Sequence, residues 1–573
     1  MFSHHPHGQH HGPELKNLII ALVLATAIMG GWQYFYERPR MEALRAAEAE
    51  QEGRHKAVMP KVATRVEPVE VVAPEESPRA PLRSDALHGT LNLAGARFDD
   101  LTLARYRVSL APDSPEVRLL SPRGTESPYF AEFGFLSADP AIPTPDARTL
   151  WQAGGRGLSP DHPVTFAWEN GEGVTFEKSI AMDEHYMFTV TLGVKNDTAD
   201  SLTFNPYGLI HRTYADTSKH LMILFEGPIG VINNELQEIS YKTLREDGAQ
   251  EFKAAKGWIG ISDKYWLTAI IPGPDAQFDA HFRHVGQNGE DRYQIDLMGM
   301  PFTVAPGETH TVTLRFFAGA KQVRLLDAYA AKYQIPLFDR AVDFGYLYFL
   351  TKPMFQLLSF FHSLVGNFGI AIMLLTILVK LVMFPLANKS YTAMSQMKLL
   401  TPKMKELQER YKDDRLTLQR EIMAMYQREK VNPMSGCLPI LVQIPVFFAL
   451  YKVLYVTIEM RHAPFFGWIQ DLSAPDPTTI FNFFGLFPWD VPGFLMIGIW
   501  PLIMCLTMVI QQRLNPKPTD EIQAAVITYM PYVFLFLFAS FPAGLVIYWA
   551  WNNTLTILQQ WVIQQRLKKK GLH

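Results

Sequence analysis

Cysteine is nearly missing from this chain: two in 573 residues, Cys437 and Cys505. That excludes a disulfide scaffold and a cysteine-ligated zinc domain. Charge is scarce as well. Asp, Glu, Lys and Arg make up 19% of the residues, against about 25% in ordinary soluble domains. The net charge is -3, which argues against a globally basic nucleic-acid binder, so DNA is not an expected partner. No G-x-x-x-x-G-K-[ST] phosphate loop occurs, so no nucleotide site is expected. Hydrophobic residues reach 48% and the mean hydropathy is +0.00, which excludes a disordered chain. At roughly 150 residues per domain, the length allows about four domain equivalents.

The missing charge is concentrated. Cys437–Tyr451, Met496–Ile510, Ile527–Phe541 and Leu545–Ile563 contain no Asp, Glu, Lys or Arg, and Asn367–Leu386 contains one, Lys380. Asn17–Tyr36 is similarly apolar. A helix needs about 20 mostly apolar residues to cross a bilayer. Six spans are expected, at 17–36, 367–386, 437–456, 496–512, 525–541 and 544–562. Phe541-Pro542-Ala543-Gly544 makes a tight turn between the last two. The first span reads as an uncleaved anchor, because Ala25-Thr26-Ala27 lies inside the apolar run rather than after it. The histidines of the 1–16 tail, His4 to His11, read as an incidental tract and not a metal site.

Loop charge gives the orientation. Residues 388–432 hold ten Lys/Arg, whereas 457–495 hold one, Arg461. Arg513 and Lys517 follow span four, and Arg566, Lys568, Lys569 and Lys570 lie in the tail. The hairpin region 387–436, the loop 513–524 and the tail 563–573 are therefore expected in the cytoplasm, together with the N-terminus. Arg38, Arg40 and Arg45, on the outer side of span one, disagree and are outvoted.

Between spans one and two lies a different body. Residues 37–84 read as a helix followed by a linker carrying Pro60, Pro68, Pro74, Pro78 and Pro81. Residues 85–335 turn to a period of two, with candidate strands Arg105–Leu110, Met187–Val194, Tyr265–Ile271, Arg292–Leu297 and Thr309–Phe317. Asn170-Gly171, Asp247-Gly248 and Asn288-Gly289 mark turns. This pattern suggests a large extracytoplasmic β-sandwich. Its histidines show no metal-ligand spacing, and Asp183-Glu184-His185 reads as a surface turn. Lys321–Tyr333 reads as a helix. In 343–366, Lys352, Gln356, Ser359 and Ser363 recur at helical spacing, which suggests an amphipathic helix in the outer interface.

Polar residues inside the apolar runs are the candidate site. Lys380 sits about 9 Å from the cytoplasmic end of its span, at 1.5 Å per residue. A mid-membrane charge costs about 2.5–3.5 kcal/mol on insertion scales and marks function by default. The alternative is that it snorkels to the inner headgroups, and the residues alone leave both readings open. Thr376 shares its face. Gln443 and Pro445 interrupt span three, Thr528 and Pro531 lie in span five, and Tyr548, Asn552 and Asn553 in span six. A wet cavity would need such a lining. Lys389–Tyr411 and Asp414–Lys430 read as a helical hairpin, with Asp414 as N-cap. Its Lys398, Lys403, Lys405, Arg410 and Arg415, with adaptable Met404 and Met423, form a candidate docking surface for nascent chains, ribosomal RNA or lipid headgroups. An anion transporter using Lys380 and an envelope enzyme acting on sugars are the rival classes.

Thr376–Lys380 (TILVK), Phe384-Pro385-Leu386, Lys430–Pro439 (KVNPMSGCLP), Gln443–Phe447 followed by Ala449-Leu450-Tyr451, Phe541–Tyr548 (FPAGLVIY) and the basic tail together resemble the YidC family of membrane protein insertases, in its Gram-negative form. Gly257-Trp258 and Tyr265–Pro272 resemble its outer domain. The resemblance implies a multi-domain membrane protein: a polytopic α-helical bundle of six transmembrane helices, five in the core, plus a periplasmic β-sandwich. It implies a hydrophilic inner-leaflet groove lined by Lys380, Thr376, Gln443, Tyr548 and Trp549, with Pro445 beside them. The family usually has Arg at the cation. Lys380 keeps the charge but not the bidentate fork. The implied function is insertion, folding and assembly of new integral membrane proteins in the bacterial inner membrane, alone or with the Sec translocon. It is not an enzymatic function and needs no cofactor. The implied partners are nascent membrane proteins, membrane lipids, the ribosome, and the signal recognition particle or its receptor.

Overall fold

The computed structural model describes residues 77–155, 157–214, 224–287, 290–412, 414–429, 438–483, 487, 489, 491–492, 495–515 and 521–569. Span one, the N-terminal tail and most of the linker lie outside these residues, as do Asn288-Gly289, Asp413 and most of the KVNPMSGCLP motif.

Alternating apolar residues build two antiparallel sheets, of ten and nine strands. The strand Val174–Met182 shows the pattern: Val174, Phe176, Lys178, Ile180 and Met182 are buried, while the residues between them are not. Four candidate strands form, as Met187–Asn196, Trp266–Ile271, Glu290–Gly299 and Thr309–Ala320, whereas the fifth, Arg105–Leu110, catches only the end of Arg97–Arg107 and runs on into an exposed bend. Gly171 adopts φ +77° in the turn before Val174–Met182, where the Asn170 side chain accepts from Glu172 N at 2.8 Å and Val174 N at 3.0 Å. In the core, Phe98 and Phe133 of one sheet meet Phe316 of the other at 5.1 and 5.6 Å between ring centroids, and Phe98 meets Phe188 at 5.0 Å. Such edge-on aromatic packing holds this cysteine-free domain together.

The domain begins earlier than its linker composition suggests. Arg79–Arg83 is a strand at the edge of the ten-stranded sheet; it pairs with Leu87–Asn92 and, on its other side, bridges to Leu158, with Arg83 N donating to Leu158 O at 3.0 Å and Leu158 N to Pro81 O at 2.8 Å. Pro81 is tolerated there because it takes part on that side through its carbonyl and no N–H is needed from it. Ser240 caps the short helix α1 (Tyr241–Glu246), and α2 (Val323–Tyr333) follows the last strand.

The helix α3 (Tyr348–Val365) corrects the expected polar face. Lys352 turns inward to Asp327 and Asp339, each at 2.8 Å, and Ser359 is buried. Gln356 and Ser363 are exposed as expected, but beside them runs an exposed apolar stripe: Phe349, Pro353, Leu357, Phe360 and Leu364, spaced by three and four residues. The carboxylates that satisfy Lys352 come from α2 and the turn after it, which spacing within 343–366 does not reveal.

The helix α4 (Phe368–Arg410) runs unbroken for 43 residues. The sequence separates a span at 367–386 from a hairpin helix at Lys389–Tyr411, but a composition boundary need not be a helix boundary. At 1.5 Å per residue α4 is about 65 Å long, twice the hydrocarbon thickness of about 30 Å. Its second half pairs with α5 (Arg415–Arg428), capped by Asp414, which accepts from Thr417 N at 3.1 Å. Then come α6 (Leu438–Val456), α7 (Ile499–Leu514), α8 (Glu521–Ala539) and α9 (Ala543–Lys569). Among the described residues, α4 alone is long and apolar enough by itself to cross a membrane; Gln443–Val456, Ile499–Leu514 and Ala524–Ala539 are shorter apolar stretches.

Candidate functional site

Lys380 leaves α4 and reaches α9, where its Nζ donates to Thr556 Oγ1 at 2.8 Å. The Thr556 hydroxyl in turn donates to the Asn552 carbonyl at 2.8 Å. The cation is therefore held inside the bundle by a second helix. Thr376, one turn earlier on α4, is buried but spends its hydroxyl on its own helix, donating to Ile372 O at 2.7 Å. On the neighbouring side, Gln443 of α6 donates through Nε2 to the Tyr548 hydroxyl of α9 at 2.6 Å. Pro445 is exposed.

Two helix-to-helix links therefore converge on one stripe of α9: Tyr548, Asn552, Thr556 and Gln559, at spacings of four, four and three. Residues at such spacings share a helix face. The Tyr391 hydroxyl of α4 interacts with Thr556 and Gln560. On the other flank, Asn553 donates to Thr507 Oγ1 and Gln560 to Asn515 Oδ1, both at 3.2 Å, which fastens α9 to α7. Three buried atoms of this helix, Asn552 Oδ1, Gln559 Nε2 and Gln560 Oε1, have no protein partner among the described residues. A dry unpaired polar atom costs about 1–3 kcal/mol.

Trp549 does not join Lys380. Its ring packs on Phe447, Phe538 and Phe534 at 4.8, 5.0 and 6.2 Å, so it staples α6 and α8 to α9. Thr556, Gln559, Gln560 and Tyr391 go unnoticed in the sequence reading. The available signal was the polar stripe continuing past Asn552 in an otherwise uncharged run.

The hairpin divides its methionines. Met404 is buried with Leu400 and Met425 in the core between α4 and α5, and its sulfur accepts from the Tyr426 hydroxyl at 3.0 Å. It is thus a packing residue rather than part of a docking surface. Met423 is 53% exposed, beside Leu416 at 72% and Leu399 at 48%. Lys398, Lys403, Lys405 and Arg410 are exposed, and Lys403 pairs with Glu429 at 2.8 Å. The Arg415 side chain lies outside the described residues.

The opposite end of the bundle is closed by the loop between α6 and α7. Asn367 donates to Phe465 O at 3.0 Å at the start of α4. Leu472 and Ala474 carbonyls accept from Gly544 N and Ala543 N at 3.0 and 2.7 Å at the start of α9. Asp476 accepts from Trp500 N at 3.0 Å and Thr478 Oγ1 from Ile499 N at 3.1 Å, so one loop satisfies the first amides of α7.

In the β domain, Asp183 accepts from the amides of His185 and Met187 at 2.9 and 3.1 Å, the turn expected there. Among the described residues, no group of three or more His, Cys, Asp or Glu is arranged to hold a metal ion.

Residues 79–357 match the family described as the YidC periplasmic domain, and residues 360–570 the family described as 60Kd inner membrane protein. A membrane protein insertase YidC of Rickettsia felis is 47% identical over 559 residues, covering 96% of this chain and 99% of that protein. One from Rickettsia bellii is 48% identical over 552 residues with the same coverage. Among solved structures, the crystal structure of an active YidC insertase with its first transmembrane domain resolved covers 86% of this chain and 94% of that one, at 17% identity and a TM-score of 0.36.

Proposed function

The chain belongs to the YidC family of membrane protein insertases, inner-membrane proteins with a periplasmic domain, and from that premise we propose how it works. It crosses the membrane six times, by residues 17–36 and by α4, α6, α7, α8 and α9, with both termini in the cytoplasm. The crowding of Lys and Arg into 388–432 and the tail supports this orientation. The β domain and the 457–495 loop then face the periplasm, and α3 lies along the outer interface with its apolar stripe toward lipid.

The insertion site is a groove between α4, α6 and α9, open toward the cytoplasmic half of the membrane. Lys380, Thr556, Asn552, Gln559, Gln443 and Tyr548 line it, with Thr376 and Pro445 at its edges and Trp549 as the staple that keeps α6 and α9 together. The observation that carries this reading is the Lys380–Thr556 bond beside buried polar atoms that lack protein partners among the described residues. Such atoms favour water, and a wet groove lowers the cost of bringing polar client segments partway across.

Insertion needs no covalent step. The exposed apolar and basic side chains of the hairpin capture a short hydrophobic segment as it emerges. Its polar flank, often acidic, enters the groove near Lys380. The apolar segment then moves into lipid, driven by removal of its surface from water. The clients are newly made membrane proteins. The Sec translocon, the ribosome, and the signal recognition particle or its receptor are the proposed partners at the membrane and at the hairpin.

The test is insertion of a small single-span protein into liposomes containing the purified chain. Insertion above protein-free liposomes is expected. Lys380→Arg should retain it, whereas Lys380→Leu should lower it several-fold for clients with charged tails and less for others. Equal activity of the Leu variant on all clients would refute the role given to Lys380, and equal insertion without the protein would refute the function.

A further inference from the structure

The loop that closes the outer end of the bundle also carries six exposed aromatic side chains: Phe466, Trp468, Phe481, Phe483, Phe487 and Trp489, 38–65% exposed. Aromatic surface of this extent is unusual on a face that meets water. The loop's charge is correspondingly low. Between Phe465 and Trp489 the sequence has two charged residues, Asp471 and Asp476, and from Pro477 to the start of α7 one more, Asp490. Both carboxylates point to partners within the loop. Asp471 accepts from Ser473 N and Oγ at 2.8 and 2.7 Å, and Asp476, 3% exposed, accepts from Trp468 Nε1 at 3.1 Å.

The Asp476 hub fixes Trp468 by its polar edge and leaves the ring face outward. The same carboxylate holds the start of α7. Phe465 lies against Gly369 at the start of α4 and 6.0 Å from the Trp500 ring. The aromatic surface is therefore continuous with the ends of apolar helices and is rigidly attached to them. It neighbours the end of α3, whose exposed Phe360 and Leu364 stop just short of α4.

We propose that these six side chains are an outer-leaflet anchor, seated among the lipid headgroups and upper acyl chains, that sets the depth of the helix bundle. Amphipathic rings favour that zone of a bilayer, and continuity with the membrane-crossing helices selects lipid over a protein partner. The inference rests on the proposed topology. Because the loop holds the first turns of α7 and α9, fixing its depth also fixes the depth of the polar stripe on α9.

The experiment uses the full chain in liposomes, with Cys437 and Cys505 replaced by Ala and a spin label at Phe466→Cys or Phe483→Cys. Accessibility to oxygen is compared with accessibility to a water-soluble nickel chelate. Labels at Leu506→Cys on the exposed face of α7 and at Leu150→Cys in the β domain mark lipid and water. Both loop labels should resemble the one at 506, with several-fold higher relative oxygen accessibility than at 150. Loop labels that resemble 150 while 506 is oxygen-accessible would overturn the anchor alone and point to a protein partner. A nickel-accessible label at 506 would overturn the topology on which the anchor rests.

Discussion

Lys178 is buried, Lys380 and Glu459 are half-buried, and each is matched by partners from elsewhere in the chain. Lys178 lies on the core face of its strand, donates to Gly95 O and Ala96 O at 2.9 and 3.3 Å, and is pushed down to about 7 by burial. Glu459 lies just beyond α6 and accepts from Val323 N at 3.2 Å, capping α2, whose own cap residue Gln322 makes no side-chain cap bond. Burial lifts its carboxyl from 4.5 to about 7, against the pull of the Val323 amide and Arg324. The packed state therefore favours the protonated form. The stability it contributes is fully present below about pH 4.5 and is lost as the pH rises through about 7. The difference is on the order of 3 kcal/mol, at about 1.4 kcal/mol per pKa unit. Protection from hydrogen exchange at the start of α2, taken relative to the intrinsic rate at each pH, should fall between pH 5 and pH 8, and Glu459→Gln should remove that fall. Unchanged pH dependence in the Gln variant would assign the effect to another group.

At the scale of elements, the strands are legible because alternation is a local signal, and the two-sheet core follows from it. The apolar helices α6, α7, α8 and α9 are legible from missing charge alone. Helix continuity is not: α4 passes through Pro385 and Pro402, and nothing local distinguishes a tolerated proline from a terminal one. The site is half legible. Lys380, Gln443 and Tyr548 stand out as polar residues in apolar runs, but the pairing of Lys380 with Thr556 spans 176 positions. Met404 and Met423 look alike in sequence, and only the packing of α4 on α5 separates them. That separation is testable. Met404→Ala should cost about 2–5 kcal/mol of local stability and speed hydrogen exchange throughout α5. Met423→Ala should leave exchange unchanged and weaken crosslinking of a hydrophobic client to the hairpin. Equal exchange in the two variants would contradict the division.

At the scale of the molecule, the chain could behave as a β domain tethered to an independent helix bundle, or as one unit. The contacts favour one unit. Lys452 near the end of α6 pairs with Asp343 at 2.7 Å, and the two side chains are 13% and 12% exposed. Asp343 also accepts from Phe225 N at 3.0 Å and Gly345 N at 3.1 Å, tying the β domain and the approach to α3 to the same carboxylate. The Lys264 ammonium lies 3.7 Å from the Tyr455 ring centre, and Arg461 donates to Arg107 O at 2.5 Å. With Glu459 capping α2, these contacts bind α6 to the β domain at several points. Removing one partner of a buried ion pair costs about 3–5 kcal/mol, because the other charge stays buried and unpaired. Asp343→Ala should therefore loosen the whole junction. Calorimetry of the detergent-solubilised chain should show one cooperative transition, and Asp343→Ala should split it, because the β core of Phe98, Phe133 and Phe316 does not depend on the junction. Two transitions already present in the unaltered chain would mean that the domains unfold independently and that the ion pair is only a local contact. A single transition shifted downward in the variant would mean that the junction carries stability but the β domain does not survive without it.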